Sequence, residues 1–279
     1  MAFHFQYAVS FAADVPAGAP LPLRGDICNS LREASALGYA GLEFHTRENA
    51  LLDIAGIKET SARCGARITG LASGRLFTQG KVSLLDDAVY AAKAAEQGLR
   101  DYVDLAQSLE VEHLVIGWAK GNIPQGGNRE TYRQRLAGQL GCLGDYARPK
   151  GVRLQLEVIN RYEVNLFNTA EETSSFIEEF GLDNCFVHLD TFHMNIEELD
   201  PIAAIRRCGS RLGYFHAADN TRRYPGSGQL DFTRILAALM EVDYKGYVTV
   251  ECIPGPDHIE TAKKAIEHLW QCEKRLLGV

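Results

Sequence analysis

The chain contains no apolar run approaching the roughly 20 residues that cross a bilayer, so no membrane span is expected. It also lacks any long block of basic residues: 29 Lys and Arg are set against 36 Asp and Glu, a net charge of −7. Binding a nucleic-acid backbone requires clustered positive charge, which excludes DNA or RNA as the expected partner. Seven cysteines, Cys28, Cys64, Cys142, Cys185, Cys208, Cys252 and Cys272, include no CxxC pair. Neither a zinc knuckle nor a redox dithiol is therefore indicated. Scattered through apolar segments, they read as small buried hydrophobes of a protein in a reducing cytoplasm. The opening MAFHFQYAVSF has no basic start of a signal peptide and runs directly into a strand-like pattern. No GxGxxG follows that strand, where the chain reads FAADVPAGAP, and no linker, low-complexity tract or long-period repeat is visible.

What the chain does have is a regular alternation. With 279 residues, 46% hydrophobic and 23% charged, it is long enough for one large core, and a single domain over 1–279 is expected. Short apolar runs rich in β-branched and aromatic residues fall at 5–11, 41–45, 67–73, 113–119, 153–159, 186–192, 212–218 and 247–252. Continuous apolar runs suit parallel strands buried on both faces. Between them lie helical patterns. DICNSLREASALG has Asp26 to cap its start and Gly38 to end it, and TAEETSSFIEEFG sets Thr169 three residues before Glu172 as a capping box. LLDDAVYAAKAAEQGLRDYVDLAQSLE is the longest such pattern, and DFTRILAALMEVDYKG and HIETAKKAIEHLWQCEKRLL close the series. Eight strands alternating with helices predict a closed (β/α)8 barrel rather than an open sheet. The loop over 12–24 then falls on the face that carries active sites, as a lid or as a plain exposed connection.

Four polar residues end the last four strands: Glu157 in LQLEVIN, Asp190 in FVHLDTF, His216 in GYFHAAD and Glu251 in VTVECIP. Each is about one βα unit from the next, so their side chains can converge at one barrel mouth. A carboxylate at the end of an apolar strand is costly unless paired or bound to a cation. Any one of them alone would read as a strand-end group facing a loop; four in register read as a metal site. Three carboxylates and one imidazole favour Mn2+ or Mg2+, with Co2+ possible. The loops that follow add Asn160, Arg161 and Glu163, then His193, then Asp219 and Arg222. His193 or Arg222 could hydrogen-bond a carbonyl oxygen as charge develops on it, although each alone resembles a helix-start residue or a solvated arginine.

EVINRYE, LDTFHMNIEE, FHAADNTRRYPGSGQLDF and VECIP resemble the motifs of the D-tagatose/D-psicose 3-epimerases, a branch of the xylose isomerase-like barrels. The resemblance is densest over 153–256, and GLEF and ITGLASG fit its N-terminal half. It implies that Glu157, Asp190, His216 and Glu251 hold Mn2+ or a similar ion. It further implies that Glu157 and Glu251 act as the acid/base pair and that Glu163, His193 and Arg222 position a sugar or keto-sugar acid. HAAD stands where many ketose epimerases read HLGE. That departure, with NRYE and PGSGQLDF, looks closer to the 5-keto-L-gluconate epimerase branch.

The expected reaction is inversion of the carbon beside a ketone through an enediolate, with one carboxylate on each face of the substrate. An aldose–ketose isomerase of the hydroxypyruvate or xylose type, or a keto-inositol dehydratase, would use the same site. A multi-zinc DNA-repair endonuclease would need more histidines and a basic surface, and a sugar-binding protein would need no opposed carboxylates. A homo-oligomer, dimer or tetramer, is expected from the exposed helices of such barrels. Arg75 and Lys120, after strands three and four, are the cations available to a substrate carboxylate.

Overall fold

All eight apolar runs form strands: β1 (Gln6–Ala12), β2 (Gly41–Phe44), β3 (Arg67–Ala72), β4 (His113–Ile116), β5 (Arg153–Glu157), β6 (Cys185–Asp190), β7 (Leu212–Ala217) and β8 (Tyr247–Val250). The computed structural model describes residues 3–47 and 51–278. Each strand pairs in parallel with the next, and β8 pairs back onto β1 through Gln6↔Tyr247 and Val9↔Val250, which closes the barrel. A closed sheet has no free edge to protect, which suits strands that are buried along nearly their whole length. A two-residue strand, Leu23–Arg24, pairs outside the barrel with the end of β1.

The helices are α1 (Ile27–Leu37), α2 (Ile54–Cys64), α3 (Gly74–Thr78), α4 (Val89–Leu109), α5 (Arg129–Ala147), α6 (Ala170–Glu179), α7 (Thr191–Glu197), α8 (Pro201–Cys208), α9 (Phe232–Glu241) and α10 (His258–Leu277). The anticipated caps form. The Asp26 carboxylate accepts from Asn29 N at 2.8 Å, and Gly38 ends α1 at φ 93°, a conformation that suits glycine. Thr169 caps α6 by accepting from Glu172 N, but Glu172 reaches one residue further back, to Asn168 N at 3.1 Å. The longest pattern becomes helical only from Val89, because the amides of Leu84 and Leu85 bond instead to the carbonyls of Ala119 and Lys120.

The main hydrophobic core lies between the barrel and its helices, built from residues such as Val9, Leu42, Leu99, Leu154, Phe215 and Leu269. A small second cluster, Ala72, Val115 and Tyr214, unites strands β3, β4 and β7. Strands β4 and β7 are not neighbours in the sheet, so this cluster packs across the barrel interior. Two register shifts, between Leu42 and Glu43 against β3 and between Val187 and His188 against β7, interrupt otherwise even pairing. Such irregularities turn side chains toward new directions. Both lie within a few residues of the polar groups described next.

Among the described residues no helix is long and apolar enough to cross a membrane. The cysteines are all free, with Cys185, Cys208, Cys252 and Cys272 buried and Cys142 exposed.

Candidate active site

The barrel register brings the four strand-end residues together. Asp190 and His216 are direct partners on β6 and β7. Glu157 is opposite His188, two residues before Asp190, and Glu251 lies two residues past Thr249, the partner of His216. Ligand positions thus climb from strand to strand, and the tilt of strands in a closed barrel levels that climb into one mouth. One ligand atom from each of Glu157, Asp190, His216 and Glu251 lies within 4.8 Å of the others. Around His216 Nδ1 stand Glu251 Oε2 at 3.6 Å, Asp190 Oδ2 at 3.8 Å and Glu157 Oε1 at 3.9 Å.

These separations are too long for hydrogen bonds and too short for charges that ignore one another. Asp190 Oδ2 and His216 Nδ1 are buried without any hydrogen-bond partner. Orphaned buried polar atoms are rare in native proteins and ask for an explanation. Atoms that share one focus and lack partners fit a divalent cation bound by oxygens and one imidazole.

The electrostatics separate the two glutamates. Burial and the neighbouring Glu251 carboxylate push Glu157 up to about 8. Burial opposes ionisation of Glu251 as well, but His216 and Arg222 hold it below the usual carboxylate range. Asp190 is held well below that range by His216, His193 and Arg222 against the cost of its burial. His216 is raised well above an ordinary imidazole despite complete burial, because Glu43 and Glu251 surround it.

The glutamates also face different walls. Oε2 of Glu157 packs against the Cα of Gly117, just past β4. Oε1 of Glu251 lies 3.7 Å from His45 Nε2, just past β2. Between those walls is a cavity of about 400 Å³, lined on its outer side by Val15, Pro16, Pro20 and Leu21. The 12–24 loop is therefore a wall of the cavity. Arg24 ties it in place by donating to the carbonyls of Pro16, Ala17, Ala19 and Leu21. A cavity of about 480 Å³ at the other end of the barrel, lined by Arg67, His113 and Tyr247, contains none of the four.

His193 and Arg222 line the same cavity. Arg222 adopts φ 58°, unusual for a residue with a side chain, and its guanidinium donates to Glu251 Oε2 at 2.7 Å. Burial and Arg222 draw His193 down to about 4, so the ring is neutral near pH 7. The Asn160 amide is oriented by Tyr162 N, which donates to its Oδ1 at 3.0 Å, and by Glu163 Oε1, which accepts from its Nδ2 at 2.9 Å. That same Nδ2 donates to His193 Nδ1 at 2.7 Å, a contact that by itself puts the ring proton on Nε2. Nε2, however, lies 3.2 Å from Arg222 Nη1, which can only donate, so both ring nitrogens face donors. Glu163 sits at the rim, where it also accepts from Trp118 Nε1 at 3.1 Å.

Other expectations meet different fates. Lys120 is fully buried and turned from the cavity, donating to Glu157 O at 3.0 Å, and burial draws it down to about 8. Arg75 lines the cavity, but its guanidinium is engaged by Asp14 at 2.8 Å. Asp219 does not reach the cavity: its carboxylate accepts from the amides of Asn220, Gly226, Gly228 and Leu230 and so folds the 220–230 loop. The departure from HLGE is thus a matter of loop architecture. Sequence reasoning missed Glu43 and His45. Glu43, completely buried, accepts from His45 Nε2 at 2.6 Å and from His216 Nε2 at 2.8 Å. The available signal was a charged residue in the middle of the apolar strand GLEF.

Comparison with known proteins agrees with this geometry. The profile of the xylose isomerase-like TIM barrel matches residues 31–272. The chain is 36% identical to an L-ribulose 3-epimerase of Methylomonas sp. (strain DH-1) over 220 residues, 78% of this chain and 75% of that protein. Against an L-ribulose 3-epimerase of Mesorhizobium japonicum the identity is 34% over 252 residues, 88% and 83% of the two chains. The crystal structure of a D-allulose 3-epimerase from Methylomonas sp. in complex with D-allulose superimposes with a TM-score of 0.80 at 28% identity, covering 97% of this chain and 99% of that one.

Proposed function

Because the chain belongs to the xylose isomerase-like TIM barrel family, with ketose 3-epimerases among its relatives, we propose that it is a divalent-metal ketose 3-epimerase. The observation that carries this reading is a pair of buried glutamates, on β5 and β8, that share one ligand focus yet turn their remaining oxygens to different walls of one cavity. Inverting a carbon requires a proton to leave one face and another to arrive on the opposite face.

Glu157, Asp190, His216 and Glu251 would hold the ion, Mn2+ ahead of Mg2+ or Co2+. When bound it supplies Lewis-acid stabilisation of negative charge on the substrate oxygens. Glu251 removes the C3 proton from one epimer, and Glu157, on another wall of the cavity, delivers a proton to the other face. The reverse reaction exchanges these roles. With Asn160 donating to Nδ1, a proton on His193 Nε2 would stand beside the Arg222 guanidinium where a carbonyl oxygen gains charge, an arrangement that stabilises an enediolate. Trp118 and Glu163 bound the rim of the site, and the 12–24 loop limits access of water. Ketoses are favoured over keto-sugar acids, since the cations lining the cavity, Arg222 and Arg75, are already paired with Glu251 and Asp14. The barrel would act as one domain over 1–279, in the cytoplasm, where seven free thiols persist, and as a dimer or tetramer.

The test is incubation of the metal-loaded protein with D-allulose or L-ribulose in deuterium oxide. Deuterium at C3 together with the C3 epimer supports the proposal. Label at C1 or C2 with an aldose product would replace it with an isomerase, and loss of water with a dehydratase.

A further inference from the structure

We propose that Glu43 is a positioning residue that fixes the proton positions of two imidazoles at once and thereby presents the lone pair of His216 Nδ1 to the cation. The inference rests on the metal site argued above. Glu43 is completely buried, and each of its oxygens meets one ring nitrogen: Oε1 meets His45 Nε2 at 2.6 Å and Oε2 meets His216 Nε2 at 2.8 Å. An ionised carboxylate has no proton to donate, so at hydrogen-bond distance both nitrogens must be the donors. A neutral imidazole protonated at Nε2 has its lone pair on Nδ1. In His216 that atom is the one left without a partner, 3.6 to 3.9 Å from three carboxylate oxygens.

The backbone explains how Glu43 comes to be there. The pairing of β2 with β3 runs Leu42↔Ile68 and then Glu43↔Gly70, skipping Thr69 at the position of Glu43. Glu43 then points across the barrel interior to His216, 173 residues away in sequence. His45, two residues further, is pinned at the cavity wall beside Glu251. One side chain thus joins the ligand sphere to the wall facing the substrate. A ligating histidine usually donates its other N–H to a carboxylate, and losing such a partner weakens metal binding by about 10- to 100-fold.

Glu43→Gln keeps the shape of the side chain but offers one acceptor and one donor. One imidazole must then move its proton to Nδ1, or leave a contact unmade. Mn2+ titration of the wild-type and E43Q proteins, read by the electron paramagnetic resonance signal of the free ion, measures the consequence without any substrate. We expect one ion per chain in both, with affinity reduced about 10- to 100-fold in E43Q. Because the E43Q side chain can still turn its carbonyl to His216, Glu43→Leu, which offers neither ring an acceptor, is titrated alongside. Wild-type affinity in both folded variants overturns the inference, as does binding of two ions of which a variant loses one, because Glu43 would then be a ligand. If E43Q does not fold, the Mg2+-loaded wild-type protein labelled with 15N-histidine decides the matter: His216 protonated at Nε2 supports the assignment, and protonation at Nδ1 overturns it. A wild-type protein that binds no divalent ion would instead remove the metal reading itself, and this inference, which rests on it, would fall with it.

Discussion

Gly117→Ala offers a perturbation that touches the chemistry without removing any functional group. A Cβ on residue 117 would overlap Glu157 Oε2 and stand 3.3 Å from Ile159 Cδ1. Relieving the overlap to ordinary van der Waals contact displaces the carboxylate by about 1 Å. The displaced atom is the far end of a side chain and yields cheaply, but Gly117 has φ −95° and ψ −105°, a conformation alanine resists, so the variant also loses about 1–3 kcal/mol of stability. Catalysis is far less tolerant: a displacement of about 1 Å at a reacting group costs about 10²-fold in rate, near 2.7 kcal/mol of barrier. The assay is kcat and KM for ketose epimerisation at saturating metal, alongside a denaturation midpoint. We expect kcat to fall about 10²-fold, in protein that remains folded with a midpoint lowered only by the backbone strain. A variant with wild-type kcat and a displaced Glu157 would refute the assignment of that glutamate to proton transfer.

Glu157→Gln and Glu251→Gln should each abolish epimerisation, while the remaining glutamate still exchanges the C3 proton of the one epimer it faces. Deuterium incorporation measured separately from each epimer checks this, and full turnover in either variant would remove that residue from the acid/base pair. Asn160→Asp replaces the donor at His193 Nδ1 by an acceptor and moves the imidazole proton away from the cavity, so kcat should drop about 10²- to 10³-fold. An unchanged kcat would show that His193 does not donate to the substrate. Metal-free protein should lose stability as pH rises from about 6.5 to about 8, above the range in which the depressed His113, His188 and His193 act in the opposite sense. Above about 6.5 the folded state keeps protons on Glu157, raised to about 8, and on His216, also raised, that the unfolded chain has already released. Urea denaturation with a chelator should show the decline and Mg2+ should abolish it; a flat chelated profile would contradict the sign.

Much of this was legible in one dimension because burial imposes a strong signature. Strands covered on both faces must be apolar along their length, so eight such runs separated by amphipathic helices declare a barrel. A carboxylate or imidazole closing an apolar run is expensive, and its recurrence at Glu157, Asp190, His216 and Glu251 on consecutive strands marked the four residues that the fold brings together. Helix caps such as Asp26 and Thr169 were readable for a similar reason, since a cap depends on residues three apart.

What the chain order could not disclose are contacts made by closure. Glu43 acquires its meaning only when β8 pairs with β1 and β2 comes to face β7 across the interior, next to a register shift that no local pattern announces. Direction is equally invisible in sequence. Lys120 and Arg75 are both cations after barrel strands, yet packing turns the first behind β5 and leaves the second on the cavity wall, held by Asp14. Asp219 stands in a motif associated with substrate choice, but four backbone amides consume its carboxylate. Residue type and spacing determine which groups are costly to bury; where each one points, and what shares its burial, is decided by three-dimensional packing alone.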